Sequence, residues 1–235
     1  MDSFEMDGVT FTQDIRRGSD RGKSEGNQFT LVKTDKLLDF YRSLQPHEPK
    51  NIMEVGMFEG GSLVFYDKLF DPDRLVGVDA RPTPIPALET YIATRPYIYT
   101  YYGRFQEKPG TLQAARQNFP DGIDLIVDDA SHRYAQTKAT FEMLFPLLRT
   151  GGHYVIEDWG WSHRPAQQNP GHGDADLPAL TNLIFELVII ASQSGVIDSL
   201  HIDQGLISVR KGPGMLGDNA FDFRRCLRGR DLPKI

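Results

Sequence analysis

A doubly wound α/β domain is the fold this sequence predicts, and three observations predict it. Short runs rich in Val, Ile or aromatic residues recur along the chain: Asn51 to Gly56, Arg74 to Asp79, Tyr97 to Tyr102, Asp124 to Asp129 and Gly151 to Asp158. Runs of this length, bounded by turn residues, read as buried parallel strands. Segments with apolar residues at helical spacing alternate with them, as with Phe141, Leu144, Phe145 and Leu148 inside Arg133 to Leu148. Two final runs, Val196 to Ile202 and Leu206 to Arg210, meet at Asp203-Gln204-Gly205, a hairpin signal. Alternating strands and helices imply a parallel sheet with right-handed crossovers, closed here by an antiparallel hairpin.

Along the chain, residues 1 to about 30 are polar and glycine-bearing and read as loop rather than core. Two readings stay open there: a frayed terminus, or an ordered lid over a ligand. A helix follows from Thr34 to Ser43, with Thr34 as its cap and Leu37, Leu38, Tyr41 and Leu44 facing inward. After Pro46 and Pro49 comes the first strand. It runs into Met57-Phe58-Glu59-Gly60-Gly61-Ser62 and an apolar helix from Leu63 to Phe70. Gly56 and Gly60 allow a tight turn and close approach of a ligand to the backbone, and the helix beyond presents free N–H groups. Neither G-x-G-x-x-G nor G-K-[ST] is present, which removes the motif support for a nicotinamide-dependent oxidoreductase or a phosphate-loop enzyme. Glu54, just before the turn, repels phosphate and favours a cationic or hydroxyl-rich ligand.

Asp79 ends the second strand, where an acid commonly accepts hydrogen bonds from ribose hydroxyls. Helices are expected from Ala87 to Thr94 and from Thr111 to Phe119, with Gly103-Arg104-Phe105-Gln106 on the ligand edge between them. The next two strands each end in paired acids, Asp128-Asp129 and Glu157-Asp158. A βαβ crossover sets their carboxyl ends side by side, at the edge where open α/β sheets bind ligands. Four like charges there need neutralising, and a hard divalent cation such as Mg²⁺ suits a set of carboxylate oxygens. Acids that merely cap the following turns are the plainer reading. A loop with Trp159 and Trp161 then leads to an apolar helix from Leu177 to Ser192. The tryptophans could stack on a sugar or only fill the loop.

The 235 residues are 40% hydrophobic and 25% charged, ordinary globular composition, with a net charge of −6 that argues against nucleic acid as a partner. Cys226 is the lone cysteine, the start has no apolar signal segment, and the longest apolar run carries Glu186 and is too short for a bilayer. These features predict a cytoplasmic protein without a membrane partner. Three regions are expected: a lid and helix at 1–48, a catalytic domain at 49–211 and a tail at 212–235 whose arginines form a solvated face.

Glu54-Val55-Gly56-Met57-Phe58-Glu59-Gly60-Gly61-Ser62 resembles the E-x-G-x-x-x-G-x-S motif of metal-dependent O-methyltransferases. Val127-Asp128-Asp129-Ala130-Ser131-His132, Val155-Ile156-Glu157-Asp158 and the closing segment Asp198 to Lys211 resemble the macrocin and mycinamicin sugar O-methyltransferases and the cephalosporin-hydroxylase-like group. The resemblance implies a Rossmann-like, seven-stranded class I methyltransferase fold. It implies S-adenosyl-L-methionine as cofactor, held by Glu54, Gly56, Phe58, Gly60, Ser62, Asp79, Arg104, Phe105 and Asp128. It further implies Mg²⁺ or another divalent cation on Asp129, Glu157 and Asp158, with His201 as general base and His132 and His163 as reserves. The implied reaction methylates a hydroxyl of a small-molecule or oligosaccharide acceptor, and a homodimer is compatible with it. A catechol-like acceptor is the alternative, because such a diol also chelates a metal. A non-catalytic sugar- or metal-binding module is a rival that Glu54, Gly56 and Asp79 speak against.

Overall fold

The structure, a computed structural model, describes residues 2–16, 20–192, 195–214 and 221–227. It opens on a small sheet of β1 (Ser3–Met6), β2 (Val9–Gln13) and β3 (Gln28–Leu31), in the order β1-β2-β3. This corrects the reading of the N-terminal stretch as loop. Asp7 and Gly8 both take positive φ between β1 and β2, the geometry of a tight hairpin turn that favours Asp-Gly. On β2, Val9 and Phe11 point inward and Thr10 and Thr12 do not. Phe11, Phe29 and Leu31 are fully buried, and Phe11 lies edge-on to Phe65 with ring centroids 6.0 Å apart. The N-terminal sheet therefore shares a core with the rest of the chain.

Thr34 caps α1 (Asp35–Ser43), as expected, its side chain accepting from the Leu37 amide. The main sheet comprises β4 (Asn51–Val55), β5 (Arg74–Asp79), β6 (Ile98–Tyr102), β7 (Ile123–Asp128), β8 (Leu148–Glu157), β9 (Ile197–Ile202) and β10 (Leu206–Lys211). Its seven strands run in the order β6-β5-β4-β7-β8-β10-β9. The first five pair in parallel, and β10 is antiparallel to both β8 and β9, which is the predicted closing hairpin. Helices α2 (Gly61–Phe70), α3 (Pro86–Ile92), α4 (Pro109–Asn118), α5 (Tyr134–Leu144) and α6 (Thr181–Ala191) fill the crossovers, and α7 (Phe223–Cys226) is a single turn. The last long helix starts at Thr181 rather than Leu177, because Pro178 disfavours helical backbone in the residue before it.

Each strand sends alternate residues to opposite faces. Ile52, Leu75, Leu125, Val127 and Val155 join α1, α2, α3 and the N-terminal sheet in one core. Met53, Val55, Val76, Ile126, Tyr154 and Ile156 join α4, α5 and α6 in the other. This alternation decides the direction of every acid at the site. No helix among the described residues is long and apolar enough to cross a membrane. Arg228 and Arg230 of the expected basic tail lie outside the described residues.

His153 on β8 gives one test of the packing. Its Nδ1 is 3.0 Å from the Ser208 hydroxyl, its Nε2 is buried without a partner, and the His47 ring sits 5.3 Å away. Burial, then the His47 and Arg210 charges, lower its pKa to about 4. The unfolded chain takes up that proton near pH 6.5, so it binds more protons than the folded chain between pH 6.5 and 4. Stability should therefore fall as pH drops through this window. Thermal melts should show that slope in the wild type and a shallower one in His153→Phe.

Candidate active site

The carboxyl ends of β4, β5, β7 and β8 open on a cavity of about 1230 Å³. One wall is the glycine turn: Gly56, Met57, Phe58 and Ser62 line it, with Asp79, Arg104 and Phe105 beside them. Gly56 has φ +95° and its α-carbon faces the next strand, so an added Cβ would lie 2.3 Å from the Asp129 carbonyl oxygen. Only glycine fits there. Gly56→Ala should cost about 2 kcal/mol or more in stability from strain and clash, visible as a lowered melting temperature. Asp79 is oriented by three backbone amides, those of Met57, Phe58 and Arg81. That leaves its carboxylate further acceptor capacity toward ligand hydroxyls. Gly60 caps α2 in a left-handed conformation and meets Leu88 instead of lining the cavity.

The acids divide by strand parity. Glu54, Asp129 and Glu157 share the face of α1 and the N-terminal sheet, while Asp128 turns to the opposite face. There Gln106 and Tyr154 donate to its carboxylate, and burial pushes its pKa up to about 7. Asp128 thus supports the strand end and does not line the cavity, whereas Asp129 does. Asp158 lines it too, with φ 52°, and accepts from Arg164 at 3.1 Å. Of the four acids expected to converge, Asp129, Glu157 and Asp158 line the cavity and Asp128 does not, while Glu54 lies behind the glycine turn. Both Glu54 carboxylate oxygens are buried without a hydrogen-bond partner, and burial, offset in part by Lys33, raises its pKa to about 8.

Sequence reasoning did not anticipate Lys33. Its side chain is 1% exposed and its Nζ donates to Glu157 Oε1 at 2.6 Å and to Asp129 Oδ2 at 3.2 Å. The Tyr41 hydroxyl also donates to Glu157 Oε1. The Tyr41 and Tyr66 rings approach Nζ at 5.7 and 5.9 Å. Burial alone would lower the lysine pKa, but Glu157 and Asp129 together hold it well above its usual value, so the ammonium stays charged. Among the described residues no group of three or more His, Cys, Asp or Glu side chains stands open for a metal ion. The position between Asp129 and Glu157 nevertheless holds a cation, the lysine ammonium, and its donor oxygens are those a hard divalent ion would use.

The structure separates the three histidines. His132 lines the cavity. Its Nε2 is 3.9 Å from Asp129 Oδ1, and Trp161, also on the cavity wall, meets its ring edge-on. Its φ of 55° turns the side chain inward after β7. Burial lowers its pKa from 6.5, against the pull of Asp158 and Glu157, so the ring is neutral near pH 7. His201, expected to be the base, sits on the edge strand β9 with its side chain 59% exposed, stacked on Phe40. His163 is turned to the Thr181 hydroxyl. Neither lines the cavity. Of the two tryptophans, Trp159 donates its indole N–H to the Asp203 carbonyl and fills the loop. The N-terminal segment is a wall of the site: Ile15, Arg21, Thr30 and Lys33 line the cavity, and Ser24 donates to the Glu59 carbonyl.

Residues 53–159 match the family described as Methyltransferase domain. The chain is 27% identical over 175 residues to 8-demethyl-8-(2-methoxy-alpha-L-rhamnosyl)-tetracenomycin-C 3'-O-methyltransferase of Streptomyces olivaceus, covering 72% of this chain and 40% of that protein. It is 37% identical over 101 residues to L-olivosyl-oleandolide 3-O-methyltransferase of Streptomyces antibioticus, covering 39% of this chain and 24% of the other. Among solved structures it superposes with TM-score 0.57 and 25% identity on the MycE methyltransferase from the mycinamycin pathway, in complex with Mg, SAH and mycinamycin VI. That match covers 75% of this chain and 49% of the other. The chain thus spans half or less of the length of these relatives. Fold, glycine turn and sequence likeness together give this chain the class I methyltransferase fold, and over part of their length it is similar to the O-methyltransferases named above.

Proposed function

We propose that this chain transfers a methyl group from S-adenosyl-L-methionine to a hydroxyl of a glycosidic or saccharide acceptor. The observation that carries the reading is one cavity bounded on one side by the Gly56–Ser62 turn and on the other by His132, Asp129, Glu157 and Asp158. The residues present fit the donor. Gly56 leaves room for close approach and Asp79 is aimed by backbone amides. Bound there, the donor supplies an electrophilic methyl on a sulfonium sulfur.

The residues of this chain then have separable tasks. His132, neutral and facing the cavity, takes the proton of the acceptor hydroxyl. Asp129, near its Nε2, stabilises the imidazolium formed. Trp161 fixes the ring from its edge and offers an apolar surface to a sugar face. The walls contributed by residues 15–33 exclude water from the reacting pair and hold it aligned. Asp129, Glu157 and Asp158 are the residues that would hold a divalent ion such as Mg²⁺, which when bound lowers the pKa of a chelated hydroxyl. His201 and His163 have no part in this scheme.

Incubation of the chain with methyl-labelled S-adenosylmethionine and a panel of glycosides and catechols tests it. The expected result is label in an ether on a sugar hydroxyl. Label on a catechol, with none on any glycoside, would reassign the acceptor.

A further inference from the structure

Lys33 is fixed too firmly to be an incidental contact. Its carbonyl accepts from the Gln13 side chain at 3.1 Å, Leu31 before it is tied to the Asp14 amide, and Thr34 after it caps α1. The chain therefore delivers this one side chain, from the join of the N-terminal sheet and α1, to acids 96 and 124 residues further on. It fills a point to which Asp129 and Glu157 both present an oxygen. A magnesium ion binds carboxylate oxygens at about 2.0–2.1 Å. An ion bridging those same oxygens would be within contact of the ammonium, with both charges positive. One of the two must leave.

We propose that Lys33 is a tethered counter-cation of this site, a positioning residue that holds Asp129 and Glu157 together without metal and that a divalent ion must expel in order to bind. The inference rests on the assignment of Asp129 and Glu157 as ion ligands. Its consequence is a metal site weakened by an internal competitor. Two acids facing each other with no cation, Glu157 buried and Asp129 partly so, would repel, and the lysine removes that repulsion until the ion arrives. Expulsion of Lys33 also loosens the β3–α1 join, so the N-terminal wall of the cavity registers whether the ion is present.

The test is Mn²⁺ binding to the full chain, followed by electron paramagnetic resonance of the free ion. Lys33→Met, which keeps the length of the stem and removes the charge, should bind Mn²⁺ at least tenfold more tightly than the wild type. Lys33→Arg should stay as weak as the wild type, and Lys33→Met combined with Asp129→Asn should lose the gain. S-adenosylhomocysteine binding, measured on each variant, confirms the fold. A second measurement serves if Lys33→Met does not fold: reductive methylation of wild-type lysines, read by mass spectrometry. Lys33 should be protected without metal and modified at saturating Mn²⁺. Equal or weaker Mn²⁺ affinity in folded Lys33→Met, or unchanged protection of Lys33 with Mn²⁺ bound, overturns the proposal. Absence of Mn²⁺ binding in every variant also overturns it. Methyl transfer that persists in that case would leave the methyltransferase reading standing.

Discussion

Replacing His132 by alanine is expected to cut turnover by about 10²–10⁴-fold, the usual share of a general base, with little change in affinity for S-adenosylhomocysteine. The residue faces the cavity beside Asp129 and is not part of the Gly56 turn, so the loss should fall on kcat. His201→Ala should keep near wild-type turnover, since that ring stacks on Phe40 at the sheet edge. The pH profile adds an independent sign. Burial lowers the His132 pKa below 6.5, and the neutral ring is the active form. The acid limb of kcat/KM should therefore lie below pH 6.5, with a flat profile above it through neutrality, and the limb should disappear in His132→Ala. A limb centred above pH 7 would point to another base.

Glu157→Ala should have the largest effect on both stability and activity. It strips Lys33 of its 2.6 Å partner and the Tyr41 hydroxyl of its acceptor, both in the buried interior. Breaking one side of a buried ion pair costs about 3–5 kcal/mol, because the charge left behind is unpaired. Denaturant melts should show a loss of that order, and methyl transfer should be abolished. Lys33→Met in the same background should recover part of the lost stability, because it removes the orphaned ammonium. A double variant less stable than Glu157→Ala by the full single-site cost would mean the two residues do not act as a pair.

The main sheet was legible because its strands are short Val- and Ile-rich runs closed by turns, a pattern local enough to read one segment at a time. Acid parity was legible in principle. Asp128 and Asp129 are strand neighbours and must point oppositely, and Leu125 and Val127 on the other face from Ile126 fix which is which. The N-terminal sheet is hidden by composition although its local signal is present. Met6-Asp7-Gly8-Val9 is an Asp-Gly turn followed by alternating residues on β2, but the polar stretch after it dominated the composition. Lys33 left no local trace: a single lysine between apolar residues and a helix cap looks like a solvated charge, and its partners are set by tertiary closure alone. His201 was placed by likeness of the closing hairpin, which fixes a strand position but not whether the side chain reaches the cavity around the sheet edge.

Where the methyl donor sits decides the roles of Asp79, the Gly56 turn and His132. A crystal structure with S-adenosylhomocysteine is the most direct measurement. It should show the ribose hydroxyls within hydrogen-bond reach of Asp79, the amino acid moiety over the Gly56 turn, and the sulfur facing the space between His132 and Asp129. A ligand bound outside this cavity, or one whose sulfur points away from His132, would contradict the assignment of both donor site and base.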